Sequence, residues 1–170
     1  IDHRVDEDSN LKIALFLEIQ IMKKFNSKYI VRILDFLSTD HNYYIIEEYC
    51  NGTDLKSAIR EAKSFAEPVA LKYLTDICMG FIELITEGVI HRDVKPQNIV
   101  LHNDTARITD FGFAKSVISN TQLNWTVVGT PYYMSPQQLK LDKYTSKCDI
   151  WAIGLIYYEV IEELQLDALW

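Results

Sequence analysis

The stretch HRDVKPQNIVLHNDTARITDFG, residues 91–112, places two aspartates, one lysine and one asparagine around a short apolar run. Asp93 and Asp110 lie seventeen positions apart in this stretch. The residues between them predict a β-hairpin, because 99–101 and 106–109 favour strands and the intervening HNDT has turn chemistry. The stretch therefore predicts that two acidic residues distant in sequence meet at the open end of one hairpin.

The side chains at that open end predict a site for phosphate chemistry. Folding the hairpin about its centre sets Asn98 opposite Asp110, about 5 Å apart as cross-strand neighbours. Amide and carboxylate oxygens suit Mg²⁺, which takes its other ligands from water and phosphates. Asp93 then lies on the loop that enters the same end, where it is placed to act as a base. Lys95 supplies a positive charge for a transferring phosphoryl group.

Each of these residues also has an ordinary structural interpretation. Asp110 with Phe111 and Gly112 is typical of a turn, Asn98 of a helix cap and Asp93 of a solvated acid. For any single residue the ordinary interpretation is the better one. Their combination within one short stretch favours a functional site.

Composition narrows the class of protein. The chain has 170 residues, 48% of them apolar, and a net charge of −7, which argues against nucleic-acid or anionic-membrane binding. No apolar run reaches about eighteen residues, so we expect no membrane span. The first residues lack the pattern of a signal peptide. Three widely spaced cysteines, Cys50, Cys78 and Cys148, show no metal-binding spacing and are interpreted as reduced thiols of a cytoplasmic protein.

Periodicity predicts an α+β fold, with strands early in the chain and helices later. A first helix begins near Ser9, and its apolar stripe is interrupted by Glu18. Residues 29–37 and 42–50 favour two strands joined by a turn. A long helix begins near Pro68 and ends at Gly88, with its apolar face at Leu71, Leu74, Cys78, Phe81 and Ile85. A second buried helix is predicted from about Ser146, capped by Thr145 or Ser146.

HRDVKPQN and DFG match the catalytic loop and metal-binding triplet of the protein kinases. Further stretches agree in order and spacing: the hinge-like EYC, the GTP and SPQ of the substrate loop, and the DIW that opens a central helix. The chain therefore resembles a eukaryotic protein kinase domain over essentially its full length. The resemblance implies a bilobal fold with a partial N-lobe at residues 1–50 and a partial, mostly helical C-lobe at 51–170.

The kinase resemblance assigns roles to the residues of the opening stretch. It implies that Asp93 accepts the substrate proton, that Lys95 steadies the γ-phosphate and that Asn98 and Asp110 hold Mg²⁺. Thr130 would bond Asp93 and Lys95. The residues implied to contact or organise ATP are Glu18, Glu48, Cys50, Asp54, Val100 and Asp110.

Arg92 indicates control by phosphorylation of the segment after Asp110. Thr126 is the first candidate, followed by Ser119 and Thr121, and plain polar loop residues are an equally good interpretation of each. Glu47 stands where the family usually has an apolar residue or Thr. Its carboxylate is expected either to face solvent or to have a raised pKa.

Two departures bear on activity. Gln137 replaces the glutamate of the family's Ala-Pro-Glu triplet. The six glycines form no GxGxxG motif, and the ATP-binding lysine of the third strand would fall just before Ile1, so residues 1–50 are expected to form an N-lobe without its first strands. The C-lobe is expected to stop soon after the central helix.

Lys95 and the sequence GTPYYMSP favour a serine/threonine kinase. FGFAK, GTPYYMSPQ and YTSKCDIW look most like the UNC-51-like, autophagy-initiating kinases, and calcium/calmodulin-dependent and NIMA-related kinases share much of this pattern. The expected ligands are ATP, Mg²⁺ and a protein substrate with Ser or Thr, with regulatory partner proteins besides. The alternatives are a non-catalytic kinase-like binding module and an inactive truncated product.

Overall fold

Two antiparallel strands open the described part of the chain. The computed structural model describes residues 19–39, 42–116 and 128–162. A helical segment at 19–22 precedes β1 (Ile33–Ser38), which pairs with β2 (Tyr43–Glu47) and has an irregular register between Ile33 and Asp35. The predicted pair of strands is confirmed; both strands are shorter than the β-favouring runs at 29–37 and 42–50, and β1 ends one residue past the first run.

Two helices follow, α1 (Leu55–Ala62) and α2 (Glu67–Thr86). Asp54 caps α1 because its carboxylate accepts from the Ser57 N–H at 2.9 Å. Pro68 lies in the first turn of α2, where its missing N–H costs no helical bond.

The predicted buried face of α2 was partly right: Phe81 is buried, and Leu74 and Cys78 pack against the core. The residues that α2 buries are Ala70, Tyr73, Ile77, Gly80, Phe81 and Leu84. Leu71 and Ile85, which were expected inside, are 44% and 42% exposed. Apolar residues occupy more of the helix circumference than its neighbours cover, so periodicity alone did not select the packed face.

The hairpin predicted from the opening stretch is present as β4 (Ile99–His102) and β5 (Thr105–Ile108). Asn103 and Asp104 both have positive φ, 48° and 60°, as a two-residue hairpin turn requires. Two residues of β3 (Val89–Ile90) pair with β6 (Lys115–Ser116).

The register of this hairpin corrects the expectation that Asn98 faces Asp110. Ile99 pairs with Ile108, and the Thr109 N–H donates to the Asn98 carbonyl at 3.0 Å. Asn98 is therefore opposite Thr109, and Asp110 follows one residue later. The expected turn at residues 102–105 and the observed turn at Asn103 and Asp104 share one centre, and folding about that centre sets residue 98 opposite residue 109, so the expectation misplaced the partner of Asn98 by one position.

The remaining helices are α3 (Pro136–Leu139) and α4 (Lys147–Glu162), and short 3₁₀ turns span Pro96–Asn98 and Pro131–Tyr133. The Thr145 hydroxyl accepts from the Lys147 N–H at 3.4 Å, as the capping prediction required. A continuous apolar core joins α2, α4, the β4–β5 hairpin and the helical segment at 19–22. Mixed helices and short sheets confirm the α+β class.

None of the helices in the described ranges combines the length and the apolar character that a membrane crossing demands.

Candidate active site

Asp93 lies on the loop between β3 and the first 3₁₀ turn, and its carboxylate gathers four hydrogen-bond donors. The side chain is buried, at 4% exposure. Oδ1 accepts from the backbone N–H and the hydroxyl of Thr130, both at 2.8 Å. Oδ2 accepts from Lys95 Nζ at 2.6 Å and from Asn98 Nδ2 at 3.2 Å. Two donors to each oxygen fix the orientation of the carboxylate.

Lys95 connects both sides of this cluster. Besides Asp93 it donates to the Thr130 hydroxyl at 3.0 Å, so Asp93, Lys95 and Thr130 form a closed triangle. Asn98 completes the group because its amide also donates to the Asp93 carbonyl at 2.9 Å. The four residues predicted as catalytic, three from one short loop and Thr130 from a distant position, are thus neighbours, and their chemical roles stay predictions.

Asp149, in the first turn of α4, holds the loop that carries Asp93. The two carboxylate oxygens of Asp149 accept from the backbone N–H groups of His91 and Arg92, each at 2.9 Å. Burial raises the pKa of Asp149, and the neighbouring His91 and these two donors oppose that shift. Burial and the adjacent carboxylate raise the pKa of the Cys148 thiol, so that it stays protonated and donates to Asp149.

Gly129 allows the loop of Thr130 to approach Asp93. Its φ is 110°, and a Cβ added there would lie 2.4 Å from the Arg92 carbonyl oxygen and 3.4 Å from Asp93 Oδ1. Only glycine fits this position. The close approach lets the next residue, Thr130, place both of its donors on Asp93.

Asn98 and Asp110 carry the oxygens expected to hold Mg²⁺. Asp110 is exposed, with φ of 62°, and the Gly112 N–H donates weakly to its carboxylate at 3.4 Å. No cluster of three or more His, Cys, Asp and Glu side chains in residues 19–39, 42–116 and 128–162 is arranged to hold a metal. One carboxylate and one amide on adjoining hairpin positions suit Mg²⁺, which keeps water and phosphate ligands, better than an ion that needs a full protein cage.

Phe111 holds the segment after Asp110 against the core. It is 1% exposed, and its ring lies 5.0 Å from that of His91 and 6.2 Å from that of Phe25, stacked on the latter. His91 Nδ1 accepts from the Asp93 N–H at 3.3 Å, which leaves Nε2 to donate to the Thr109 carbonyl at 3.1 Å. The loop that carries Asp93 and the segment that follows Asp110 are therefore packed on each other.

Two of the residues predicted to contact ATP, Asp54 and Val100, lie next to each other. Asp54 and Val100 form an isolated antiparallel bridge, which brings the α1 cap next to β4. Within the described residues, neither the Glu48 carbonyl nor the Cys50 N–H bonds to another backbone group. Free backbone groups of this kind suit a flat heterocycle with complementary donors and acceptors.

Side chains at the end of β2 differ in their charge environment. Burial alone would raise the pKa of Glu48, but the Arg32 N–H at 2.9 Å and the Arg107 guanidinium at 2.7 Å lower it overall. Glu47 is exposed, and the partial burial of its carboxylate together with the nearby Asp110 carboxylate raises its pKa. Burial raises the pKa of the Cys50 thiol.

Several predicted residues lie outside the described part of the chain: Glu18, Ser119, Thr121 and Thr126. Arg92, the predicted partner of an activating phosphate, is described. Its φ is 70°, and its Nε donates to the carbonyl of Phe113, in the segment that follows Asp110. Gln137 is exposed on α3, and its carbonyl accepts from the Asp142 N–H at 2.9 Å.

Glu159 was not predicted as a site residue from the sequence. It is 0% exposed on α4 and accepts a hydrogen bond from the Tyr133 hydroxyl at 2.8 Å. The signal was present: a carboxylate in an apolar helix stripe between Ile156 and Val160. The same signal singled out Glu18.

Comparison with known proteins agrees with this geometry. Residues 1–166 match the protein kinase domain family. Serine/threonine-protein kinase atg1 of Dictyostelium discoideum is 39% identical over 163 residues, 92% of this chain and 24% of that protein. ULK1 of Homo sapiens is 36% identical over 154 residues, 85% of this chain and 15% of that protein.

Serine/threonine-protein kinase Nek11 of Homo sapiens is 34% identical over 155 residues, 89% of this chain and 24% of that protein. The chain thus spans about a quarter or less of the length of these three relatives. The family match covers nearly all of the chain and includes the Asp93 loop, the Asp110 triplet and the Thr130 loop. The chain belongs to the protein kinase domain family.

Proposed function

We propose that this protein transfers the γ-phosphoryl group of ATP to serine and threonine hydroxyls of protein substrates. The observation that supports it best is the buried Asp93 carboxylate, which Thr130, Lys95 and Asn98 hold in one orientation. A carboxylate fixed beside a lysine can take a proton from a hydroxyl while the lysine balances charge on the phosphoryl oxygens.

In the proposed reaction the substrate hydroxyl loses its proton to Asp93, and its oxygen forms a bond to the γ-phosphorus. The bond between that phosphorus and the bridging oxygen of ADP breaks, and ADP leaves. Lys95 stabilises the transferring group, and Thr130 keeps Asp93 in place. Mg²⁺, when held by Asn98 and Asp110, supplies positive charge to the phosphates.

The nucleotide is proposed to lie between the end of β2 and the β4–β5 hairpin. The Glu48 carbonyl and Cys50 N–H would bond its base, Asp54 its ribose, and Val100 would pack beneath it. The bridge between Asp54 and Val100 supports this placement. We place the boundary of the two proposed lobes near residue 50, at these same residues.

The decisive experiment incubates the intact protein with labelled ATP, Mg²⁺ and matched peptides that differ only in Ser, Thr or Tyr at one position. We expect label on Ser and Thr peptides and its loss when EDTA removes Mg²⁺. Nucleotide binding without transfer to any peptide would contradict the proposal and support a kinase-like binding module instead. Transfer to the Tyr peptide alone would contradict the serine/threonine assignment.

We further propose a cytoplasmic kinase that acts in autophagy, because the sequence resembles the UNC-51-like kinases and its relatives include the kinases named atg1 and ULK1. Nek11 is nearly as similar, so the test must separate the subfamilies. Expression of the intact protein in Dictyostelium discoideum cells that lack atg1 should restore autophagic flux. Active kinase that fails to restore flux would place it in another subfamily.

Phosphorylation of Thr126 is proposed to activate the enzyme through Arg92. Arg92 contacts the Phe113 carbonyl and therefore lies beside the segment that leads towards Thr126. Mass spectrometry of active protein should find phosphate on Thr126. Full activity of protein that is unmodified there would refute this mode of control.

A further inference from the structure

Glu159 is a fully buried carboxylate that the proposed reaction does not use. It lies in the fourth turn of α4 at 0% exposure. Oε2 accepts from the Tyr133 hydroxyl at 2.8 Å, and Oε1 accepts from Lys56 Nζ at 3.3 Å. Burying a carboxylate is costly unless it is paired and hydrogen-bonded, and these two contacts offset that cost.

The Tyr133 contact leads directly to the active site. Tyr133 ends the 3₁₀ turn Pro131–Tyr133, is 3% exposed, and its N–H donates to the Thr130 carbonyl at 3.0 Å. Thr130 in turn places its N–H and its hydroxyl on Asp93 Oδ1. Glu159 is therefore connected to the catalytic carboxylate through one turn of backbone.

The Lys56 contact leads to the opposite side of the site. Lys56 lies in the first turn of α1, two residues after Asp54, which caps that helix and bridges Val100. The Lys56 ammonium is 12% exposed at the side chain, so its charge is largely removed from water beside Glu159. One buried carboxylate thus ties α1 and the Thr130 turn to α4.

We propose that Glu159 is a positioning residue, which acts through the Tyr133 hydroxyl to set Thr130 against Asp93 and Lys95. Lys56 lies 3.3 Å from Glu159 Oε1 and is its charged partner in the core. This inference rests on the proposed kinase function for its kinetic consequence, whereas its structural consequence can be measured without catalysis.

The test is Tyr133→Phe in the intact protein, which removes one hydroxyl and keeps the ring in the core. Amide hydrogen exchange at Thr130 and Tyr133 should quicken at least tenfold. The His91 and Arg92 amides, which Asp149 holds, should exchange as before. Tyr73→Phe, a hydroxyl deletion at a buried ring that packs on Phe65, serves as the matched control.

Kinetics supply the second readout. Tyr133→Phe should lower kcat/KM for a peptide substrate by about 10- to 100-fold, because small misplacement of a catalytic group costs about that much. The KM for ATP and the nucleotide-binding stoichiometry should not change. A merely structural role would reduce the folded fraction and the stoichiometry while leaving both KM values as they were.

Glu159→Gln and Glu159→Ala complete the set. Glutamine keeps an oxygen that can accept a hydrogen bond from Tyr133. The rate of amide hydrogen exchange at Thr130 should therefore be closer to that of the wild type in Glu159→Gln than in Glu159→Ala. Unchanged Thr130 exchange in Tyr133→Phe would overturn the inference even in a protein with no kinase activity. Absence of phosphotransfer by the wild type, with the exchange effect present, would overturn the proposed function alone.

Discussion

Asp93 illustrates what could be predicted at the scale of single residues. Its partners Lys95 and Asn98 stand within five positions, and Thr130 was available from the family pattern. Glu159 was not predicted, because its role depends on Tyr133 approaching across two elements. Local motifs therefore predicted the cluster around Asp93, whereas Glu159 became visible only in the three-dimensional structure.

The first residue-scale prediction concerns Gly129. Gly129→Ala places a Cβ 2.4 Å from the Arg92 carbonyl oxygen in a conformation that L residues rarely adopt. We expect a loss of about 2 kcal/mol or more in the free energy of unfolding, and roughly 100-fold lower kcat as Thr130 moves from Asp93. Urea unfolding and steady-state kinetics measure the two effects.

Gly154→Ala is the matched control for Gly129→Ala. Gly154 lies inside α4, and a Cβ there has no neighbouring heavy atom within 4 Å. Because alanine favours helix, this variant should gain about 0.5–1 kcal/mol in stability. Equal effects of the two substitutions would refute the assigned role of Gly129.

At the scale of elements, the sequence predicted which segments form helices and strands better than it predicted strand registers and buried helix faces. The β4–β5 hairpin is where the sequence placed it, but its register sets Asn98 opposite Thr109 and not opposite Asp110. The buried face of α2 likewise depends on which neighbours pack there. Registers and faces follow from contacts with other elements, which periodicity does not contain.

Asp149 ties α4 to the catalytic loop, and Asp149→Asn tests that tie. The amide can accept at only one atom, so either the His91 or the Arg92 N–H loses its acceptor. We expect a loss of about 1–3 kcal/mol and faster exchange at those two amides. Asp142→Asn, the same change at an exposed site, should stay within about 0.5 kcal/mol of wild type.

Glu48 ties the end of β2 to β5 through Arg107, and its pKa predicts how that tie depends on pH. Because the pKa is held below its ordinary value near 4.5, the stabilisation is present above that pH and is lost as the pH falls through the lowered value. Glu48→Gln should therefore cost about 1 kcal/mol at pH 7 and much less near pH 3. Thermal unfolding across pH measures this difference.

Glu47→Gln is the control with the opposite sign. The pKa of Glu47 is raised, so its charge is a cost to folding above the raised pKa, and the cost disappears as the pH falls below 4.5. Removing the charge should leave stability at pH 7 unchanged or higher. A loss at pH 7 equal to that of Glu48→Gln would contradict both assignments.

At the scale of the whole molecule, the sequence predicted the α+β class and the kinase family, because several motifs agree in order over most of the chain. The predicted roles of Glu18 and Thr126 concern residues outside the described ranges and stay predictions. We propose that α4, the loop of Asp93 and the loop of Thr130 together place Asp93 as a general base.

The most direct measurement compares peptide phosphorylation by Asp93→Asn and by the wild type, both in the intact protein and with Mg²⁺ and ATP. We expect the kcat of Asp93→Asn to be about 10²- to 10⁴-fold lower than that of the wild type, because a general base contributes that much. Nucleotide affinity should stay within about twofold, and Asp104→Asn in the hairpin turn should be as active as the wild type. Wild-type turnover by Asp93→Asn would contradict the assignment of Asp93 as the general base.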